Sequence, residues 1–173
     1  METKELIKQK FIEVYSKMPY EKITIKSLCD SIPIARTTFY TYFQNIDEVK
    51  ESVENETIKG IRTSCEKIYE SDDDKYFMAA IEYINNHKNI FYCFLAKQPN
   101  LRFIDKFKLE IINHFNDNFS NKKHNKNYNL ELEIFASAVI SFYTYMLKYP
   151  DEIDFKNLSD KFKIIKKSLS LFF

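Results

Sequence analysis

The residues best suited to contact another molecule lie in one short stretch near the start of the chain. Between Pro33 and Ile46 the sequence has a single cation, Arg36, and no acidic residue. Hydroxyl side chains fill much of this stretch: Thr37, Thr38, Tyr40, Thr41 and Tyr42. An arginine beside hydroxyl donors, with no carboxylate to repel a phosphate, is chemistry that suits contact with nucleic acid.

The elements that must position these side chains form a predicted helix-turn-helix. Thr24 is a good N-cap for a short amphipathic helix, and Pro33 then interrupts the helical pattern with a turn. Helical sequence resumes at Ala35 and continues to Phe43. A helix, a tight turn and a second short helix have the geometry that fits the major groove of DNA, with the second helix as the reader.

Two further helices frame this pair. Apolar residues recur at helical spacing over about residues 3–17, and Pro19 ends that first predicted helix. Asn45 followed by Glu48 is a capping-box pattern that begins a long fourth helix, predicted to run to about Glu70. The three short helices therefore make an N-terminal domain, and the fourth helix crosses into the next domain.

The remainder of the chain predicts a second helical domain. The composition of one Gly and four Pro in 173 residues does not suit a sheet protein, which needs glycine in its tight turns. The sequence predicts an all-α fold of nine helices, with a helix-turn-helix domain over residues 1–48 and a second domain over residues 49–173. The last five helices open after the acidic corner 71–74 and continue at about residues 89–97, 100–119, 130–149 and 158–172.

The segment ARTTFYTYF from Ala35 to Phe43 resembles the recognition helix of TetR-family transcription regulators. The family pattern is Ser-Arg-Gly-Thr-Phe-Tyr-x-Tyr-Phe, followed by a short polar link and an acidic helix start, which residues 45–49 supply here. The resemblance covers residues 6 to about 53 in order and spacing. Three residues depart from the pattern: Pro33 replaces a turn glycine, Ala35 a common serine and Ile46 a frequent lysine. The last change removes a phosphate contact, so we expect modest affinity.

The resemblance assigns roles by position. It implies that Arg36, Thr37 and Thr38 face base edges or nearby phosphates, whereas Phe39 and Phe43 anchor the helix in the core. Tyr40 and Tyr42 would donate their hydroxyls to the DNA backbone; the alternative is that they are ordinary surface aromatics of a helical bundle. The expected DNA-binding residues are Thr24, Lys26, Arg36, Thr37, Thr38, Tyr40, Thr41, Tyr42 and Asn45.

For the second domain the resemblance implies an unknown small-molecule effector and a homodimer formed by the last two helices. Small residues in the eighth helix would permit close approach to a partner helix, or would pack within the chain: Ala136, Ser137, Ala138 and Ser141. The pattern Tyr83-x-x-x-His87, with residues 90–95 and 100–103, is similar to the TetR subgroup that includes the activator of dihydroxyacetone kinase genes.

Aromatic residues are dense in the second domain and could line an effector cavity. Ordinary core packing of the same rings is the alternative, because Phe at helical spacing fills a helical core without a ligand. The candidate pocket residues are Tyr83, His87, Phe91, Phe107 and Phe142.

Several classes of function do not fit the sequence. The three histidines do not stand at i, i+4 spacing with one another or with a cysteine, so no metal site is expected. Gly60 is the sole glycine, which excludes a glycine-rich phosphate loop or a nucleophile elbow. We therefore expect a non-enzyme without a cofactor. Cys65 and Cys93 could act as thiol sensors, but are more simply interpreted as small core residues.

The compartment and the overall charge set further bounds. Three widely spaced cysteines suit a reducing cytoplasm, and the charged start and lack of a long apolar run indicate a protein that is neither exported nor membrane-spanning. A formal net charge of +1 means that DNA binding must come from a local arrangement of charges.

The implied function is transcription regulation through double-stranded operator DNA. The default is a repressor that a small-molecule effector releases from its operator by shifting the position of the fourth helix. A ligand-responsive activator with the same fold stays open, as do a helical protein-interaction adaptor and an enzyme that uses the aromatic cavity.

Overall fold

Helices joined by turns make up the part of the chain that the computed structural model describes, residues 2–66, 73–119 and 128–153. Those residues contain no strand, which confirms the all-α prediction. The predicted ninth helix, 158–172, lies outside them. The helices are α1 (Thr3–Tyr15), α2 (Ile25–Asp30), α3 (Arg36–Tyr42), α4 (Ile46–Glu66), α5 (Asp73–Asn86), α6 (Lys88–Phe91), α7 (Leu101–Phe119) and α8 (Tyr128–Lys148).

The chain divides into two compact units, residues 1–59 and 60–173. The division falls inside α4, later than the predicted boundary after residue 48. The first part of α4 belongs with the first unit because Val49 and Val53 are buried there. The ammonium of Lys8 on α1, a residue only 3% exposed, also donates to the Glu56 carboxylate of α4, with 2.5 Å from Nζ to Oε1.

The core of the first unit is built from the apolar faces of its four helices. Phe11 of α1, Leu28 of α2 and Phe39 of α3 are fully buried. The ring of Phe39 lies 6.0 Å from that of Phe43, the residue that directly follows α3. Two inward rings one helical turn apart hold α3 from one side, and its opposite side stays exposed.

The core of the second unit is a packed set of aromatic rings between α5, α7 and α8. The Tyr143 ring of α8 stacks on Phe107 of α7 at 5.8 Å and on Phe77 of α5 at 5.7 Å. Phe115 of α7 lies 4.7 Å from Phe135 of α8. Since the higher-numbered residue of α7 meets the lower-numbered residue of α8, these two helices run antiparallel.

Helix α8 is, within the described residues, long and apolar enough to cross a membrane on length and composition alone. A helix in the core of a helical domain can have the same length and apolar composition, and much of α8 is buried within the protein. One face of α8 is buried: Leu132, Phe135, Ala136, Val139, Ile140, Tyr143, Met146 and Leu147.

The sixth predicted helix is not a single α-helix. Helix α6 is short and continues as a π-helical turn, Tyr92–Lys97. The backbone N–H of Asn100 donates to the carbonyl of Phe94 over 2.8 Å, and the Asn100 side chain accepts from the Phe103 N–H at the start of α7 over 3.3 Å. The buried Asn100 therefore ends one helix and caps the next.

Candidate nucleic-acid interface

Helix α2 begins at the capping residue that the sequence predicts. The Thr24 hydroxyl accepts from the Ser27 N–H over 3.0 Å, and the Ser27 hydroxyl accepts from the Thr24 N–H over 3.1 Å. Two backbone donors at the helix start are thus satisfied by side chains. Thr24 and Lys26 are exposed beside this cap.

The turn between α2 and α3 is held by its own backbone. The Ser31 N–H donates to the Leu28 carbonyl over 3.1 Å, and the Ile34 N–H donates to the Ile32 carbonyl over 2.8 Å. Ile32 is buried, whereas Pro33 is exposed. Pro33 stands where the TetR-family pattern has a turn glycine. Proline is tolerated here because an exposed turn position needs no backbone donor.

Helix α3 presents the predicted DNA-binding side chains to solvent. Arg36, Thr37 and Thr41 are exposed, and Thr38 is half-buried. The tyrosines are also accessible, Tyr40 at 56% and Tyr42 at 42% exposure. Ala35 precedes the helix in an extended conformation and offers no side-chain acceptor to its free amides. The outward surface of α3 therefore carries one cation, hydroxyl groups and no carboxylate.

The acidic side chains that follow α3 in the chain, Asp47 and Glu48, are engaged in hydrogen bonds within the protein. The Asn45 side chain accepts from the Glu48 N–H over 2.8 Å, as the capping-box pattern predicts. The Glu48 carboxylate accepts from the Gln44 N–H over 2.7 Å, and Asp47 accepts from the Tyr20 hydroxyl over 3.1 Å. These hydrogen bonds hold both carboxylates close to the protein. Asn45 itself is exposed.

One cation in this region was not among the predicted site residues. The ammonium of Lys50 on α4 lies 4.2 Å from the centre of the Tyr20 ring. Lys50 stands one helical turn after Ile46, the position where the resembling family often has lysine. The i, i+4 spacing in the sequence is the signal that could have found it.

Cys29 is a buried residue of α2. Burial raises the pKa of Cys29, and the Arg36 guanidinium acts in the opposite direction. Arg36 itself remains exposed to solvent.

A small cavity lies in the second unit, within its aromatic core. Its volume is about 20 Å³, room for about one water molecule. The described side chains that line it include no charged group, so an effector there would be largely apolar and would need the surrounding rings to move. The lining residues are Ile61, Tyr76, Phe77, Ala80, Phe107, Ile111, Phe115, Phe135, Val139 and Tyr143.

Of the five predicted pocket residues, Phe107 lines this cavity and the other four do not belong to its lining. Tyr83 stacks on the exposed His87, with the ring centres 4.1 Å apart. Phe91 is fully buried in the core, and Phe142 packs against Phe77 at 5.5 Å. Tyr76 and Tyr143 also line the cavity, and both belong to the dense aromatic residues of the second domain although they are not among the five candidates. Burial raises the pKa of Tyr143 well above its usual value.

Comparison with known proteins identifies the fold. The sequence matches no protein-family model and no curated protein. Among solved structures, the dihydroxyacetone kinase operon activator DhaS has 16% sequence identity and a TM-score of 0.61, over 98% of this chain and 94% of that one. The fatty acid degradation regulator FadR from Bacillus halodurans has 14% identity and a TM-score of 0.65, over 93% of each chain.

Proposed function

We propose that this chain, which has the fold of TetR-type regulators, is a DNA-binding transcription regulator that reads its operator with α3. The observation that carries this proposal is the two-sided character of α3. Phe39 and Phe43 are buried, while Arg36, Tyr40 and Tyr42 are exposed. The two solved structures named above are regulators by their names, which supports the same function here.

The proposed contacts divide by chemistry. Arg36 can make the paired hydrogen bonds that recognise guanine in the major groove, and Thr37 and Thr38 lie in the same first turn of α3. Phosphate contacts would fix the position of the helix without reading sequence. The residues proposed for phosphate contact are Thr24, Lys26, Tyr40, Thr41, Tyr42 and Asn45, with Lys50 as an addition.

Arg36→Ala and Tyr42→Phe test this assignment. We expect Arg36→Ala to weaken binding by at least about fivefold, since a paired arginine–base contact contributes about 1–3 kcal/mol. Tyr42→Phe removes one hydroxyl donor and should weaken binding by about three- to tenfold. Fluorescence anisotropy with DNA from upstream of the gene measures both affinities.

The matched control is Lys88→Ala, which removes an exposed cation from α6 in the second unit and should leave affinity unchanged. If neither Arg36→Ala nor Tyr42→Phe weakens binding, the assignment of α3 as the reader is wrong. If the unaltered protein binds none of this DNA, the adaptor alternative gains support.

We further propose a homodimer in which α8 supplies part of the interface. Opposite its buried face, α8 carries an accessible stripe at helical spacing, with Leu130 and Ile134 followed by Ser137, Ser141 and Tyr145. The two serines would allow a partner helix to approach closely. Ala136, another small residue that the sequence singles out, is fully buried and therefore packs within the chain.

Ile134→Glu tests the dimer. Ile134 is 51% exposed on the stripe, so a carboxylate there would be buried without a partner in the dimer. We expect the dimer dissociation constant to rise by at least about tenfold, measured by sedimentation equilibrium. Leu101→Glu, at an exposed leucine of α7, is the control and should leave the constant unchanged. A dimer that tolerates Ile134→Glu would exclude this surface.

The proposed mode of action is repression that an apolar effector relieves through the second unit. The aromatic lining of the cavity supports an apolar ligand. Activation is a specific alternative, because one of the structures that share the fold is named as an operon activator. A promoter fused to a reporter gene decides between them, since reporter output falls with a repressor present and rises with an activator. We propose a cytoplasmic protein without catalysis or a cofactor.

A further inference from the structure

Gly60 stands in the interior of α4, where glycine is a poor choice for helix stability. It is the only glycine among 173 residues, and α4 runs from Ile46 to Glu66. Glycine in a helix interior is less favourable than alanine because its backbone loses more freedom on folding. Gly60 is also the first residue of the second unit.

The structure gives a reason for glycine at this position, which is the close approach of Tyr83 from α5. A Cβ atom added to Gly60 would overlap the Tyr83 hydroxyl oxygen and the ring carbon Cζ, and would lie 2.9 Å from Cε2. The tip of the Tyr83 side chain therefore rests directly on the backbone of α4. No larger residue fits at position 60 unless Tyr83 moves.

Two neighbouring rings orient the half-buried Tyr83 side chain. It stacks on His87 with 4.1 Å between ring centres and meets Phe91 edge-on at 6.1 Å. Phe91 is fully buried, and a ring nitrogen of His87, Nδ1, lies 2.8 Å from the Tyr83 carbonyl oxygen. The contact with Gly60 is thus made by a side chain held on two sides.

The rest of the C-terminal part of α4 is also fixed within the second unit. Ile61 and Cys65 are buried, and the guanidinium of Arg62 pairs with the Glu110 carboxylate of α7, with 2.8 Å from Nε to Oε1. In the first unit, Glu56 binds Lys8. Gly60 lies between these two ion pairs along α4.

We propose that the Gly60–Tyr83 contact is the point at which the second unit sets the position of α4, which makes Tyr83 a positioning residue for operator binding. This inference rests on the proposed function. A shift of α5 would move the Tyr83 hydroxyl against the α4 backbone, and α4 follows directly on the reading helix α3 in the chain. Tyr83 acts through α4 and touches no DNA.

The effect of Gly60→Ala on stability, measured with and without the Tyr83 side chain, tests the Gly60–Tyr83 contact. In the Tyr83→Ala background, Gly60→Ala should lower the equilibrium constant for unfolding by roughly fivefold, because alanine is the better helix former. In the presence of Tyr83, the same substitution should raise that constant, because Cβ collides with the ring. Urea denaturation followed by circular dichroism gives both values. Thr63→Ala, at an exposed position of α4, is the control and should act equally in both backgrounds.

Operator affinity tests the positioning role, in variants that circular dichroism shows to be folded at the assay temperature. Gly60→Ala should weaken binding by at least about fivefold, Thr63→Ala should not, and Gly60→Ala/Tyr83→Ala should match Tyr83→Ala alone. Reduced stability with unchanged affinity would overturn the positioning role, and so would the absence of a sign reversal in the denaturation series. Loss of the proposed function is recognised separately, as failure of the unaltered protein to bind operator DNA.

Discussion

At the scale of single residues, burial decides what the three cysteines can do. Cys29, Cys65 and Cys93 are free and buried. Burial raises the pKa of each thiol, and that of Cys65 reaches about 12. A reactive sensor needs a thiolate at neutral pH, which a raised pKa disfavours. The structure therefore supports a packing role for these side chains.

Cys65 should react slowly with thiol reagents while the protein is folded. In a Cys29→Ser/Cys93→Ser background at about pH 8, we expect Ellman's reagent to label native Cys65 at least about a hundredfold more slowly than the urea-unfolded chain. Above about pH 9 the unfolded thiol loses its proton and the native thiol keeps it, so the free energy of unfolding should fall as pH rises towards about 12. Fast labelling of the native protein would show that the thiol is accessible.

The sequence could predict whether a side chain points inward or outward where helical periodicity alone determines its direction. The inward positions of Phe39 and Phe43 and the outward position of Arg36 follow from a repeat of about 3.6 residues. The lining of the cavity could not be predicted in this way. Phe107 and Phe142 carry the same periodic signal, yet Phe107 lines the cavity and Phe142 does not. Which rings surround a gap depends on how α5, α7 and α8 pack together.

At the scale of secondary-structure elements, α3 begins without a side-chain cap. Ala35 occupies the N-cap position with φ −74° and ψ 153°, a conformation in which serine could accept a hydrogen bond from the first turn. α2, by contrast, has such a cap at Thr24. Helix α3 is therefore held mainly by Phe39 and Phe43.

Ala35→Ser should stabilise α3 by adding the missing acceptor. We expect the free energy of unfolding to rise by about 1 kcal/mol, measured by urea denaturation. Ala35→Val, which adds bulk without an acceptor, is the control and should not stabilise the protein. Equal effects of serine and valine would show that the gain does not come from capping.

The order and type of the elements could be predicted from the sequence, but the π-helical turn after α6 could not. The pattern over residues 89–97 predicts one apolar helix, whereas the structure has α6 followed by a π-helical turn. The wider turn coincides with the hydrogen bond from the Asn100 N–H to the Phe94 carbonyl. A pattern of apolar residues carries no information on such a bond, because it depends on how the following helix begins.

At the scale of the whole molecule, a formal net charge of +1 limits the electrostatic part of DNA binding. The cations among the proposed phosphate contacts are Lys26 and Lys50, which a dimer would present twice. The logarithm of the affinity should then fall with the logarithm of the salt concentration with a slope of about −4. Fluorescence anisotropy over a series of salt concentrations measures this slope.

The salt series has an internal check in Lys26→Ala, which removes a proposed phosphate contact and should reduce the magnitude of the slope by about 2 in a dimer. A slope of about −8 or steeper in the unaltered protein would mean that cations outside the proposed contacts also bind phosphates.

The position of the division within α4 determines where the chain could be cut to produce the first unit alone. A fragment that stops at residue 48 would lack Val49 and Val53, which are buried in the first unit. It would also strip Lys8 of its Glu56 partner and leave an ammonium with less compensation for its burial. A fragment that folds by itself must therefore retain the first turns of α4. Truncation after residue 48 would remove part of the hydrophobic core of the first unit.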